Sequence, residues 1–155
     1  MTLPAARATG AGVDWRYLLN SFDGRINRQP FWIAMGLVVA AEAAAHFVAQ
    51  QLEGERLSAI VDLAFTYPEF AIAAKRGHDR DVPTWVPGLF FALGAVIDLF
   101  TVLGLRATEG QGLFNIFALA VSIFGVALLV DFGFRKGTPG PNRYGPDPLG
   151  LKPVQ

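Results

Sequence analysis

Four ionisable residues interrupt long apolar stretches of the sequence, and they are the first candidates for chemistry. Glu42 and His46 lie in the first stretch, Asp62 in the second and Asp98 in the third. Glu42 and His46 are four residues apart, so a helix places them on one face. An ionisable side chain inside a membrane is costly unless it is paired or hydrated, which makes each of these residues a functional-site hypothesis.

These four residues fall at similar depths if each apolar stretch is a membrane-spanning helix that rises about 1.5 Å per residue. We therefore expect them to converge in one polar cluster in the outer half of the bilayer. The cluster would bind a proton or a cation, or it would pair with Arg56 and Arg106 from the adjoining connections. The pattern favours a structural role, in which these residues pair with one another and stabilise a small helix bundle, over transport.

A second group of polar residues lies in the connections rather than in the apolar stretches. Its members are arginines with a His-Asp pair, a tyrosine and a second aspartate. They are Arg25, Arg28, Arg76, His78, Asp79, Arg143, Tyr144 and Asp147. Arginine binds carboxylates and phosphates with paired hydrogen bonds, so the group predicts either a structural clamp or a site for a lipid phosphate or small anion. We favour the clamp.

No other catalytic or ligand-binding pattern is evident. The chain has no cysteine and two histidines, which predicts no metal site, and we expect no cofactor. Ser21, Ser58 and Ser122 have no His and acid near them in the sequence, so we identify no catalytic residue. The basic connections are short and adjoin apolar stretches, and anionic lipid headgroups account for them more simply than nucleic acid does.

The elements that must position these residues are four apolar stretches of membrane-spanning length. A helix of about 20 residues crosses the roughly 30 Å hydrocarbon layer of a bilayer. The composition agrees, because 52% of the residues are hydrophobic and only 17% are charged, whereas about a quarter are charged in soluble domains. We predict an all-α membrane protein, a bundle of four transmembrane helices at about 31–49, 57–74, 85–105 and 113–134.

The positive charges predict the orientation of this bundle. Eleven of the thirteen lysines and arginines lie before the first stretch, between the second and third, or after the fourth. Such an excess marks the cytoplasmic connections of a membrane protein. We therefore expect both termini in the cytoplasm.

We expect a single domain over residues 13–148, with polar segments at both ends of the chain. We expect residues 1–12 to be disordered, and 13–22 to form either a short amphipathic segment at the membrane interface or an ordinary turn before the first helix. Residues 135–155 form a Pro/Gly-rich cytoplasmic tail, which composition alone leaves either ordered or flexible. Pro68 predicts an interruption of the second helix, and Pro87-Gly88 predicts that the third becomes regular near Leu89. We expect Glu69 and Asp131 to meet basic residues at the cytoplasmic helix ends.

Three polar segments carry a pattern that resembles a known family. They are residues 22–32 (FDGRINRQPFW), residues 75–79 (KRGHD) followed by Trp85, and residues 140–148 (GPNRYGPDP). Together they resemble the domain-of-unknown-function 805 family of small bacterial inner-membrane proteins, over residues 20–148. The chain departs from that pattern at Lys75 and Gly77, where the family commonly has an arginine and a leucine.

The resemblance implies a multi-pass protein of the bacterial inner membrane and supplies no reaction. Our leading expectation is a non-enzymatic protein whose cytoplasmic polar surface engages lipid headgroups or a membrane-protein partner, including a second copy of itself. A small transporter or channel component that uses the intramembrane acids is the alternative. A membrane enzyme that acts on lipid, resting on His78-Asp79, is the third.

Overall fold

The structure, a computed structural model, describes residues 14–105 and 111–150. This part of the chain is all-helical, with one isolated backbone bridge between Asn142 and Gly145 in the tail. The five helices are α1 (Trp15–Asn20), α2 (Arg28–Leu52), α3 (Glu55–Asp79), α4 (Trp85–Val102) and α5 (Gln111–Phe134). The expectation of disorder at residues 1–12 lies outside the described residues, as do Arg106 and the last five residues.

Local sequence signals explain where the helices begin. The Asp14 carboxylate accepts a hydrogen bond from the Tyr17 amide at 3.1 Å, and the Asn27 side chain accepts one from the Gln29 amide at 3.1 Å. Both are N-cap contacts that satisfy helix amides otherwise left without a partner. Gly54 takes a positive φ of 72° in the two-residue turn between α2 and α3, a conformation that glycine adopts without strain.

Two expectations about proline were wrong. α3 runs without a break through Pro68, because a proline inside a helix removes one backbone donor but does not forbid the helix on either side. α4 is regular from Trp85 rather than from Leu89. Pro87 lies in its first turn, where the amide that proline lacks would have had no partner within the helix.

Four of the helices are long and apolar enough to cross a membrane, namely α2, α3, α4 and α5. Most of their apolar side chains face outward. Phe47, Leu113 and Ile123 are examples, each with more than half of its surface exposed. A water-soluble protein would not leave so much apolar surface uncovered, whereas lipid-facing helices are expected to do so.

α3 is the central helix, because it lies against each of the other four. Small residues make this close packing feasible: Ala34 of α2 and Ala71 and Ala74 of α3 are completely buried. Small side chains at helix contacts let the backbones approach closely, which strengthens van der Waals packing between helices in lipid. α5, by contrast, is buried over little of its length.

The polar residues collect at one end of these helices. The start of α2, the residue that caps the start of α4, the last turns of α3 and α5 and the tail from residue 135 all meet there through side-chain contacts. We call this the basic end. α1 is shorter than the amphipathic segment expected over 13–22, and it packs against α3 at the same end.

Candidate functional site

The last turn of α3 joins the elements of the basic end. Lys75, Arg76, His78 and Asp79, which we call the α3 hub, are all buried, and Lys75 and Arg76 are completely so. A buried cation is unstable unless hydrogen-bond acceptors or a counter-charge compensate the loss of water. The contacts of the α3 hub show where that compensation comes from.

Lys75 closes the end of α1. Its ammonium group donates to the backbone carbonyl of Leu18 at 2.9 Å and also to that of Ser21. The last carbonyls of a helix have no partner within the helix and carry partial negative charge, so a cation placed there stabilises the helix end. The Tyr17 ring lies 5.3 Å from the same ammonium nitrogen, within the range of a cation–π contact.

The Tyr17 hydroxyl stays protonated in this environment. Burial, followed by the nearby negative charge of Asp23, raises its pKa to about 12. The hydroxyl also lies against Gly24, whose φ is +84°, and a Cβ there would collide with it. The turn between α1 and α2 therefore depends on a glycine at residue 24.

Arg76 closes the end of α5. Its guanidinium donates to the carbonyl of Phe132 at 2.6 Å and to that of Arg135 at 2.6 Å, and it contacts the Asp79 carboxylate. Arg76 thus fixes the position of the last turn of α5 against α3. It also pairs with the charge of Asp79 within α3.

Asp79 lies between two buried guanidinium groups. Besides Arg76, it accepts hydrogen bonds from Arg25, at 3.2 Å from Nε and 3.0 Å from Nη2. Arg25 also donates to the tail, to the carbonyls of Thr138 at 2.7 Å and Gly140 at 2.8 Å. A Cβ on Gly137 would overlap the Asp79 carboxylate, so the chain needs a glycine where it passes this charge.

His78 is held on both ring nitrogens and on one face. Nδ1 lies 3.0 Å from the carbonyl of Gly24, and Nε2 lies 2.7 Å from the Thr84 hydroxyl. Because a carbonyl only accepts, Nδ1 carries the proton in the neutral ring, and Thr84 can donate to Nε2. Tyr144 stacks on the imidazole with ring centroids 3.8 Å apart and an angle of 4°.

The tail is anchored to the same turn. The Thr138 amide donates to the carbonyl of Asp79 at 2.7 Å, and the Asn142 side chain donates to the carbonyl of His78 at 2.8 Å. Within the tail, Asp147 accepts from the Gly140 amide at 3.0 Å and closes a turn. The tail over residues 137–150 is therefore ordered against the α3 hub.

Of the eight residues predicted at this end, two arginines remain exposed. Arg28 donates to the carbonyl of Phe134 at 3.2 Å while its side chain faces outward. Arg143 forms an ion pair with Asp81 at 3.0 Å and is 57% exposed. The structure therefore brings Arg25, Arg76, His78, Asp79, Tyr144 and Asp147 into one network and leaves Arg28 and Arg143 on its surface. Tyr144 and Asp147 are only half-buried, whereas the other four residues of the network are buried.

Several residues of the network carried no sequence signal of their own. Lys75 stood out only as a departure from a family pattern, and Thr138 and Gly137 not at all. Their partners are backbone groups far along the chain, which no spacing rule identifies. Asp131 meets basic residues, as expected: it pairs with Arg135 at 2.8 Å, and also with Arg80 at 3.3 Å.

The intramembrane residues form two pairs between α2 and α3. His46 Nδ1 lies 2.8 Å from the Asp62 carboxylate, and the carboxyl groups of Glu42 and Glu69 are neighbours. The expectation that Glu69 meets basic residues at the helix end was wrong, because Lys75 and Arg76 are directed to carbonyls of α1 and α5 instead. Asp98 lies half-buried on α4.

Oε1 of Glu69 is buried and has no hydrogen-bond partner. Among the described residues, no group of three or more His, Asp or Glu side chains is arranged to hold a metal ion.

These features define a class of protein: four helices able to span a membrane, closed at one end by a buried network of arginine, lysine, histidine and aspartate. The family described as "Protein of unknown function (DUF805)" matches residues 19–146. The chain therefore belongs to the DUF805 family, as the three motifs indicated.

Two curated relatives are similar along most of their length. They are the "Uncharacterized protein YiiR" of Escherichia coli K12 and its counterpart of the same name in Escherichia coli O157:H7. Each is 31% identical over 140 residues, which covers 86% of this chain and 90% of the relative. No solved structure matches the chain.

We predict that Asp79→Asn strongly destabilises the protein. The change leaves two buried guanidinium groups without their shared counter-charge, and removing one partner from a buried ion pair costs about 3–5 kcal/mol. Asp81→Asn is the matched control: it removes the same charge from an exposed pair two residues away, worth about 0–1 kcal/mol. Thermal unfolding in mild detergent compares the two, and equal melting temperatures would contradict the role given to Asp79.

Proposed function

We propose that the protein is a non-enzymatic, multi-pass protein of the bacterial inner membrane, with both termini in the cytoplasm, that engages anionic lipid headgroups through its basic end. In this proposal α2 to α5 form a four-helix bundle across the bilayer and α1 lies at the interface. The observation that carries the proposal is the division of the cations at the basic end into buried and exposed sets.

The buried set has fixed partners within the chain. Arg25, Lys75 and Arg76 each donate to two or more backbone carbonyls, and Asp79 compensates the charge of both arginines. An incoming anion would have to displace the tail and the ends of α1 and α5 to reach them. These contacts support a structural clamp rather than a ligand site for this part of the basic end.

The exposed set is free to face the membrane surface. It consists of cations around the helix ends, which we call the basic rim: Arg16, Arg28, Arg135, Lys136 and Arg143. Exposed aromatic residues accompany it, with Trp32 39% and Trp85 67% exposed. Tryptophan favours the headgroup level of a bilayer, and each lysine or arginine near an anionic leaflet adds about 1 kcal/mol of attraction.

A lipid-directed enzyme finds less support in the geometry. His78 and Asp79 are both buried, and the imidazole is occupied on both nitrogens and covered by Tyr144. A general base has to come within hydrogen-bond reach of the proton that it removes. The contacts of these two residues are those of a structural anchor.

The proposed orientation has a direct test, which the absence of cysteine makes clean. Pro139→Cys adds a thiol to an exposed position of the tail, and Glu53→Cys adds one at the opposite end of α2. We expect a membrane-impermeant maleimide to label the Glu53→Cys variant in intact spheroplasts and the Pro139→Cys variant only after lysis. The reverse pattern would overturn the orientation and place the basic end on the outer surface.

The lipid interaction predicts a selective lipid composition around the purified protein. Extracted from native membranes in mild detergent, the protein is expected to retain phosphatidylglycerol and cardiolipin in excess over phosphatidylethanolamine. Replacement of all five basic-rim residues by Gln is expected to remove the excess and to lower the melting temperature much less than Asp79→Asn does, because exposed pairs contribute little stability. Arg56→Gln, which removes an exposed arginine at the opposite end, is the control.

Mass spectrometry of the retained lipids separates the outcomes of this experiment. Equal retention of anionic and zwitterionic lipids by the unmodified protein would refute the proposal. A second copy of the chain, or another membrane protein, that remains bound when the lipids are removed would favour the partner interpretation instead.

A second candidate function, proton movement, is favoured by one observation: the pair of carboxyl groups from Glu42 and Glu69 inside the membrane-spanning segments. Neighbouring carboxyl groups, one of which has a buried oxygen without a hydrogen-bond partner, are the kind of group found in proton relays. We expect a proton flux in proteoliposomes, measured with an entrapped pH dye, only if this candidate is correct.

In that case Glu69→Gln is expected to lower the flux at least tenfold, because an amide cannot release a proton. Glu55→Gln, at the exposed start of α3, is the matched control and is expected to leave the flux unchanged. A flux in the unmodified protein no higher than in empty vesicles rejects the candidate.

A further inference from the structure

One part of the basic rim is built differently from the rest, where α2 begins and α5 ends. Arg28 and Trp32 come from α2, and Phe134, Arg135 and Lys136 come from the end of α5 and the residues after it. We call these five residues the α2–α5 corner. The other cations of the basic rim, Arg16 and Arg143, belong to α1 and to the tail.

Backbone contacts hold the α2–α5 corner in place. Arg28 donates to the carbonyl of Phe134 at 3.2 Å, and the Trp32 indole donates to the carbonyl of Gly133 at 3.0 Å. The rings of Trp32 and Phe134 meet edge to face, with centroids 5.6 Å apart. These contacts hold the start of α2 against the end of α5. The backbone positions of Arg28 and Arg135 relative to each other are therefore fixed by the fold.

The end of a helix normally repels anions, since its last carbonyls carry partial negative charge. Here the carbonyls at the end of α5 and just after it accept hydrogen bonds from other parts of the chain: from Arg76 at Phe132 and Arg135, from Trp32 at Gly133, from Arg28 at Phe134, and from Arg80 at Lys136. The outward surface of this helix end consequently presents guanidinium groups and not carbonyl oxygens.

The local charge balance is positive. Asp131 is the acid that contacts this group, and it is shared between Arg80 and Arg135. Arg28, Arg80, Arg135 and Lys136 together carry four positive charges against that one carboxylate. Arg135 is 67% exposed, and Arg28 uses one of its five N–H groups at Phe134, so donors of both remain directed outward.

Apolar surface adjoins the cations on the side of the membrane-spanning segments. Phe134 is 64% exposed, and Ile33 of α2 and Val130 of α5 are also exposed. A phospholipid has the same order of chemistry along its length: a charged phosphate, then the glycerol region, then the acyl chains. A soluble anion would match only the cations.

We propose that the α2–α5 corner is a phospholipid site, in which Arg28 and Arg135 bind the phosphate of an anionic lipid while Trp32 and Phe134 contact its glycerol region. This inference rests on the proposed lipid engagement of the basic end and names the place and the ligand. The two guanidinium groups supply charge-assisted hydrogen bonds to the phosphate oxygens, and Lys136 adds an attraction without a fixed geometry.

Trp32 lies in the proposed site and can report on it. In a Trp15→Phe, Trp85→Phe background, Trp32 is the one remaining tryptophan of the three in the chain, and both replaced residues are exposed. The protein is reconstituted in phosphatidylcholine vesicles that contain increasing amounts of either dibrominated phosphatidylglycerol or dibrominated phosphatidylcholine. Bromine quenches tryptophan fluorescence on contact, so the two series give the relative binding constant at this site.

The expected result is a preference for phosphatidylglycerol that falls about fivefold in Arg28→Gln and about fivefold in Arg135→Gln. Arg143→Gln and Arg16→Gln remove the same charge elsewhere on the basic rim and are expected to leave the preference unchanged. Circular dichroism of each variant checks that the helices remain.

Three other results would contradict the assignment of the α2–α5 corner as a phospholipid site. If all four Gln variants lower the preference equally, the corner is not a site, although lipid engagement by the basic rim stands. If the unmodified protein shows no preference at Trp32, and purified protein also retains no anionic lipid, both proposals fail together. If inorganic phosphate in the buffer restores the fluorescence, the ligand is a soluble anion and the phospholipid assignment is overturned.

Discussion

The structure depends on the way in which one turn of α3 satisfies the ends of two other helices. Lys75 covers the last carbonyls of α1, and Arg76 covers those of α5. The arrangement solves two problems together, because a buried cation needs acceptors and a helix end needs donors. Neither group would be stable at these positions without the other.

Asp79 extends the same principle to charge. Two guanidinium groups, from Arg25 and Arg76, share its carboxylate, and Arg25 in turn holds the carbonyls of the tail. The tail has little apolar surface with which to fold by itself, and it is ordered because its backbone and Asn142 bond to the carbonyls of α3. This explains why the three family motifs occur in segments far apart in the sequence: each supplies one part of a single buried network.

The two polar regions of the protein differ in how far their charges are compensated. At the basic end the buried cations and acceptors are matched within the chain. Between α2 and α3, His46 contacts Asp62, but Glu42 faces another carboxyl group and Glu69 keeps one buried oxygen without a partner. The first pattern is that of a structural support. In the second pattern, the neighbouring carboxyl groups of Glu42 and Glu69 are available to bind a proton. For this reason transport stays a candidate beside lipid engagement.

The long helices, their apolar character and the family could all be predicted from the sequence. Those properties follow from local composition and from short motifs, and both are visible in the sequence without knowledge of the fold. The sequence also indicated that Arg25, Arg76, His78 and Asp79 would act together. It failed at Pro68, Leu89 and Glu69, where a rule about one residue type was applied without knowledge of the neighbouring helices.

Which cations are buried and which are exposed depends on how the helices pack, and the sequence does not show it. Arg25 and Arg28 are three residues apart and chemically identical, yet Arg25 is enclosed by Asp79 and the tail while Arg28 faces outward at the end of α5. The difference arises because their partners are backbone carbonyls over a hundred residues away in the chain. A carbonyl is present at every position of the sequence, so only the crossing of the helices selects the ones that an arginine meets.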